Sequence, residues 1–276
     1  MRLTVRLRFP MLALLVATAF ISRAEEITLN DGVVLNPSAF RMNGGTLLIT
    51  VTTPEGGVVE SGYPISRIAR VSFAEPSGLS KAAAAAAKGN STEVLDLTKD
   101  FVARDQDFKA LPGSWWPAMA ALRLSALASM GRNSETTALA RQFGTMNSPS
   151  YDSLSRAGVL FGSLDAADTE AIVVAVKSLD VQQSDQSAAL AQLALGRALL
   201  VKKDYAGAIR AFLTIKVFHP SQESLQPAAL YGAANAYEGL SDKTRAVRTL
   251  NEILENYPQS PQAGEAKKMI ADLSKP

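Results

Sequence analysis

Two stretches near the C-terminus carry one pattern, written twice and 38 positions apart. Leu195, Gly196, Leu199, Ala208, Phe212, Ile215 and Pro220 form the first series; Ala233, Ala234, Tyr237, Ala246, Leu250, Ile253 and Pro258 form the second. A repeat of this length means supersecondary units stacked on their neighbours, none of which buries its apolar face alone. Such a chain is expected to hold other proteins rather than to enclose a catalytic cavity.

Each copy reads as two helices. Helix A ends near Lys202 or Leu240, and helix B begins at Asp204 or Asp242. The carboxylate there can accept a free backbone N–H of the first turn and favours the positive end of the helix. Ala208 and Ala246 follow four residues later, and Gly196 and Ala234 lie twelve residues before them. Small residues at these two places let the paired helices approach closely. Phe212 and Leu250, then Ile215 and Ile253, extend the apolar stripe at helical spacing. Pro220 and Pro258 close helix B, since proline lacks an N–H and clashes with the preceding turn.

These residues resemble the tetratricopeptide repeat. The series Gly196-Leu199-Ala208-Phe212-Ile215-Pro220 and Ala234-Tyr237-Ala246-Leu250-Ile253-Pro258 follow its order of small, aromatic or apolar, Ala, large apolar, small apolar and Pro. Two departures stand out. The bulky residue early in helix A is Gln192 in one copy and Leu230 in the other, and the period is 38 rather than the usual 34. The extra residues fall around 221–226, where about one added turn lengthens a helix without rotating its face. The closing segment, Tyr257-Pro258-Gln259-Ser260-Pro261 followed by Ala263, Ala266 and Leu273, reads as a lone capping helix with Lys267, Lys268 and Asp272 as its polar side. The close resemblance spans 188–273 and is similar to the C-terminal repeats of bacterial envelope proteins of the Tol-Pal and outer-membrane assembly systems.

Upstream, the same grammar predicts helix pairs at 80–88 with 92–108, 115–130 with 134–143, and 151–162 with 169–179. Ala126 and Ala138 take the small positions of the second of these. The alanine run 82–87 reads as helix, given alanine's propensity, with a flexible linker as the alternative. Five pairs and a cap then fill 77–276 as a mainly α, tetratricopeptide-like solenoid.

Residues 25–76 have another texture. Short β-branched runs alternate with turns at Asn30-Asp31-Gly32, Asn43-Gly44-Gly45 and Glu55-Gly56-Gly57, which predicts a five-stranded antiparallel meander. Its pattern loosely resembles small SH3-like or Sm-like barrels. A unit of this size is marginal alone, so it is expected to dock on the first helices.

Residues 1–24 read as an export signal. Arg2, Arg6 and Arg8 precede an apolar run of 13 residues, 9–21, and Ser22-Arg23-Ala24 supplies small residues for cleavage after Ala24. The run would span about 20 Å as helix, short of a bilayer core of about 30 Å; an uncleaved anchor or a buried helix is the alternative. Cleavage would take four arginines, turning a net charge of +2 into −2 and leaving no basic run for nucleic acid. The chain has no Cys, which excludes disulfides, thiolate metal sites and a Cys nucleophile. Glu25 stands where a lipoprotein would carry its acylated Cys, so the mature form is expected to be unlipidated, not membrane-spanning, and periplasmic or secreted.

No catalytic constellation emerges, and no cofactor or metal is implied. The single histidine, His219, precedes Pro220 at a helix end, where a C-terminal cation or loop residue is the simplest role. Gly44-Gly45 and Gly56-Gly57 lack the Lys-Ser/Thr of a phosphate loop, and Asn90-Ser91-Thr92 fits both a glycosylation sequon and a helix start. Trp115-Trp116 is either a ligand-stacking shelf or filling between helix pairs. Alignment to the repeat family implies that Arg197, Tyr231, Asn235 and Glu238 lie on the concave face; they are partner-binding candidates or ordinary solvated surface. The expected function is a non-catalytic envelope scaffold that takes a protein or peptide partner in its groove. A cell-wall polysaccharide or peptide module accessory to an enzyme is the alternative.

Overall fold

The computed structural model describes residues 24–53, 55–146, 148–165, 168–178 and 185–275; the expected export signal thus lies outside the described residues, apart from Ala24. Ala24 already stands in the first strand, paired with Phe73.

Six strands come first: β1 (Ala24–Leu29), β2 (Val34–Leu35), β3 (Ala39–Asn43), β4 (Thr46–Thr52), β5 (Val58–Pro64) and β6 (Ile68–Phe73). They form two antiparallel three-stranded sheets, ordered β2-β1-β6 and β3-β4-β5, and not the closed five-stranded barrel expected. The first strand pairs with the last, so the segment is no simple meander. Turn chemistry behaves as read: Gly32, Gly44 and Gly56 all sit at positive φ, where a Cβ would be strained. Alternation along β4 buries Leu47 and Ile49 against Ile27, Phe40 and Val71.

This small core is closed by residues from beyond it. Phe108 and Leu111 join it, and the Phe40 and Phe108 rings meet edge-on at 5.3 Å. The Val71 N–H donates to Pro112 O at 2.8 Å, and Trp115 Nε1 donates to Phe73 O at 3.1 Å. Gly113 passes so near β6 that a Cβ would stand 2.2 Å from Val71 O. The sheets therefore lean on the helical part, which supplies what so few residues cannot bury alone.

The helices are α1 (Leu79–Ala87), α2 (Ser91–Arg104), α3 (Trp116–Ser129), α4 (Asn133–Phe143), α5 (Pro149–Asp165), α6 (Thr169–Ser178), α7 (Asp185–Val201), α8 (Tyr205–Phe218), α9 (Gln226–Gly239), α10 (Lys243–Asn256) and α11 (Pro261–Leu273). Five pairs and a capping helix result, a tetratricopeptide-like solenoid. The alanine run is helix, and the predicted 92–108 helix stops at Arg104, followed by a 3-10 turn that delivers Phe108.

The turn inside four of the pairs has one design. Gly89, Gly131, Lys203 and Ser241 adopt φ of 65°, 71°, 60° and 60°, and the next residue opens helix B. In each case that next N–H reaches back to the carbonyl five residues earlier, as from Asp204 to Leu199 and from Asp242 to Tyr237. Asp204 and Asp242 then accept from Gly207 N and Arg245 N, both at 2.9 Å. Asn90 caps α2 in the same manner through Glu93 N, which accounts for the sequon-like triplet structurally.

Inside the pairs, small residues permit contact. Ala208 and Ala246 are fully buried, and the Phe212 ring lies in a slot between Gly196 and Gly232. The second pair departs from the expected register: Ala138 is exposed, and Ala140 is the buried small residue, pressed against Gly158 of α5. The apolar face of α4, Leu139, Ala140 and Phe143, is set by packing on α5 rather than by the small-residue spacing within its own pair.

The four-residue excess also has an unexpected form. It lengthens no helix, since α8, α9 and α10 each have 14 residues. Instead it makes a loop and a 3-10 turn, Glu223–Leu225, whose Leu225 is fully buried and which touches α1, α3 and α7. The early helices thereby meet the late ones across the inside of the solenoid. Gly89 lies against Pro227 and Tyr257, and Gln186 Nε2 donates to Ala121 O at 2.8 Å.

Candidate partner-binding site

Arg197, Tyr231 and Asn235 do converge, as the repeat register implies. Helix pairs at this spacing put Arg197 on α7 and Asn235 on α9 at equivalent inward positions, and Tyr231 one turn before Asn235. All three line a pocket of about 460 Å³ between α7, α9, α11 and the end of α3. Asn235 Nδ2 donates to Tyr231 O at 2.9 Å, which holds the amide against its own helix. Burial, with the Glu265 carboxylate nearby, pushes the Tyr231 hydroxyl up from its ordinary value.

Arg197 has a second task that the sequence concealed. Its Nη1 donates to Ala128 O at 2.8 Å and its Nη2 to Ser129 O at 3.1 Å, so the guanidinium closes the C-terminal end of α3. A cation suits that end of a helix. Its Cζ also lies 5.7 Å from the Phe161 ring centroid. Burial pushes its pKa down to about 10, and no carboxylate forms an ion pair with it among the described residues. Gln262 of the capping helix donates to the same Ser129 O at 3.0 Å, which ties α11 to α3 across the solenoid. Gln262 and Glu265 are thus site residues that sequence reading missed. The i, i+3 spacing from Gln262 to Glu265 placed them on one helix face, but nothing local said which face met the pocket.

The other candidates lie elsewhere. Glu238 is exposed and does not line the pocket. Trp116 is completely buried, its Nε1 donating to Val102 O at 2.9 Å and its ring 5.4 Å from that of Phe143. It is a core residue and no contact surface for a partner, because large rings at this junction fill the gap between α2, α3 and α4. Trp115, half-buried, anchors the sheets to the helices. Neither can act as a stacking shelf with the other.

His219 ends α8, where its Nδ1 meets Asp185. Ser221 Oγ also donates to Asp185, as does Gln222 Nε2 at 3.2 Å. Burial alone would raise the Asp185 carboxyl, but these hydrogen bonds from Ser221, His219 and Gln222 outweigh it and hold the group below the usual carboxylate range. The serine hydroxyl serves the carboxylate and not the imidazole, so the cluster is a clasp joining α7 to the excess loop rather than a nucleophile with its base. Among the described residues, no group of three or more His, Cys, Asp or Glu is placed to hold a metal ion, and no helix is long and apolar enough to cross a membrane.

Residues 228–260 match the tetratricopeptide repeat family. The matched stretch begins inside α9, contains α10 and stops just before α11, so it covers the second of the two copies. No curated protein and no solved structure matches the chain. Tetratricopeptide repeats are protein-interaction modules and are typically non-catalytic.

Proposed function

We propose that this chain is an exported, non-catalytic scaffold of the bacterial envelope that binds a protein partner at the pocket around Arg197, Tyr231 and Asn235. The observation that supports it is the meeting of equivalent helix A residues from adjacent repeats on one recess. The mode differs from a peptide laid along an open groove. The Glu223–Leu225 turn and the Gln262 tie occupy the inside of the solenoid, so the partner presents an anchor to a pocket. The polysaccharide alternative loses its aromatic pair, since Trp116 is buried.

Crosslinked capture from the native envelope tests this. A Tyr231→Ala, Asn235→Ala double variant that keeps its circular dichroism spectrum should recover at least about tenfold less partner, or about 1.4 kcal/mol. Unchanged recovery would move the interaction to another surface. Export has its own check: the intact mass of envelope-derived protein should begin at Glu25 and carry no acyl group. Retention of Met1 or an added lipid mass would refute it.

A further inference from the structure

The two sheets differ in how their edges are closed. β2 has only two residues. The outer side of β6 is taken by the chain leading to α3: the Val71 N–H donates to Pro112 O at 2.8 Å, and Gly113 presses on Val71 O. β3 has five residues and carries Arg41. β5 is another matter. It runs for seven residues beside β4 with no register shift, and among the described residues nothing pairs with its other side. The bonds at the two ends of this ladder, Thr53 N–H to Gly57 O at 2.7 Å and Ile65 N–H to Gly45 O at 3.0 Å, fix which backbone groups face away. Val59, Ser61 and Tyr63 bond to β4, and they share the inner face with Leu47 and Ile49. Val58, Glu60, Gly62 and Pro64 turn their backbone groups outward. Native edges are commonly blunted by bulges, lysines or a covering segment. This edge has none of these. Val58 and Val59 stand 69% and 50% exposed along it, and its one charge, Glu60, is already held by Arg41 at 3.1 Å.

We propose that β5 is a self-pairing edge. A second copy of the chain adds its own β5 antiparallel, about a two-fold axis at Ser61, and the two three-stranded sheets become one continuous sheet. The residues of β5 themselves select this occupant. In that register Glu60 lies opposite Gly62 of the second copy, and the two exchange both backbone hydrogen bonds on each side of the axis. The Val58 N–H donates to the carbonyl of Pro64, the one outward residue with no N–H of its own to satisfy. On the inner face Val59 meets Tyr63, a β-branched and aromatic pair, and Ser61 meets itself. The neighbouring registers are worse. Centring the pair on Glu60 sets two carboxylates directly opposite. Centring it on Gly62 carries Val58 beyond the strand, against Ser66 of the 3-10 turn. With the axis at Ser61 the Glu60 carboxylates are only diagonal neighbours, and each keeps its own Arg41. A joined edge of this length is smaller than the about 1,600 Å² of a standard interface, so the dimer forms and dissociates with concentration.

The chain has no Cys, so a single introduced thiol reports the register. Across an antiparallel ladder the Cα atoms of a non-hydrogen-bonded pair lie about 4.5 Å apart, within the roughly 4.4–6.8 Å that a disulfide spans. Mild oxidation of the isolated Ser61→Cys protein should therefore link most of it into a covalent dimer. Val34→Cys, at an exposed position on β2, should stay monomeric under the same conditions. Sedimentation of the unaltered protein should show a monomer–dimer equilibrium that shifts with concentration. Ser61→Lys brings two cations together at the axis and should weaken that dimer at least about tenfold, in a protein whose circular dichroism spectrum is unchanged. A monomeric mass at every concentration, or oxidation that links Ser61→Cys no better than Val34→Cys, overturns the proposal. Species larger than a dimer would overturn it too, because they require head-to-tail pairing of β5 on β3 of the next copy.

Discussion

Phe212 offers a sharp test of how the repeats hold together. Its ring is 1% exposed and is held between two glycines on flanking helices. A Cβ on Gly232 would stand 2.4 Å from Cζ and 2.6 Å from Cε2, against about 3.5–4.0 Å for comfortable carbon contact. The ring has no room to retreat, since a Cβ on Gly196 would likewise be 2.5 Å from it. Overpacking of this kind costs about 1–3 kcal/mol. Replacing a mid-helix glycine by alanine recovers about 0.8–1.0 kcal/mol of helix propensity. Gly232→Ala should therefore destabilise the protein by about 0–2 kcal/mol net. Gly264→Ala on α11, whose Cβ meets nothing within 4 Å, should show the propensity gain alone and stabilise it. In a Phe212→Leu background the clash disappears, and Gly232→Ala should become stabilising. Urea unfolding of the four proteins of this cycle, read from midpoints at constant m, gives the coupling directly. Contacting residues couple by about 0.5–3 kcal/mol. Additivity within about 0.5 kcal/mol, or a Gly232→Ala protein as stabilised as Gly264→Ala, would refute the slot.

The same assay checks three other expectations. Lys203→Gly and Ser241→Gly should each stabilise by about 1 kcal/mol, because both residues hold a left-handed conformation that a Cβ disfavours; unchanged midpoints would mean the turns are unstrained. Ala208→Leu or Ala246→Leu should cost about 1–3 kcal/mol by overpacking a helix crossing, while exposed Lys243→Ala should cost little, and equal effects at all three would undo the repeat register. The folded-state pKa of Asp185 is depressed, so its contribution is complete above the unfolded value of about 3.9 and is lost as pH falls through the folded value. Asp185→Asn should flatten that acid limb in stability measured from pH 6 to pH 2; an identical limb in wild type and variant would show that the Asp185 clasp contributes nothing to it.

Much of the solenoid was legible because its signals are local. Asp204 and Asp242 announce their helices through the first turn they cap, and Pro220 and Pro258 mark where helix B ends by what proline cannot donate. The 38-residue spacing carried Gly196, Ala208, Phe212, Ala234, Ala246 and Leu250 into a shared buried stripe. Where that spacing weakened, reading by analogy failed: Ala138 was assigned a buried place that belongs to Ala140, because the face of α4 answers to α5. The sheets failed differently. Turns such as Gly44-Gly45 were evident, but the pairing of β1 with β6 joins residues about forty positions apart, and no turn chemistry dictates it.

The candidate site shows the same division. The sequence determined that Arg197 and Asn235 are equivalent positions of two copies, with Tyr231 one turn before Asn235, and only the resemblance to the repeat family implied an inner face for them, as it did for Glu238, which lies outside the pocket. Only the tertiary structure decided that Arg197 closes α3, that Gln262 and Glu265 complete the pocket, and that Leu225 plugs the inside of the solenoid. These contacts depend on how far each pair rotates on the last. Small rotations accumulate over five pairs until residues more than a hundred positions apart meet, and no local preference records that sum.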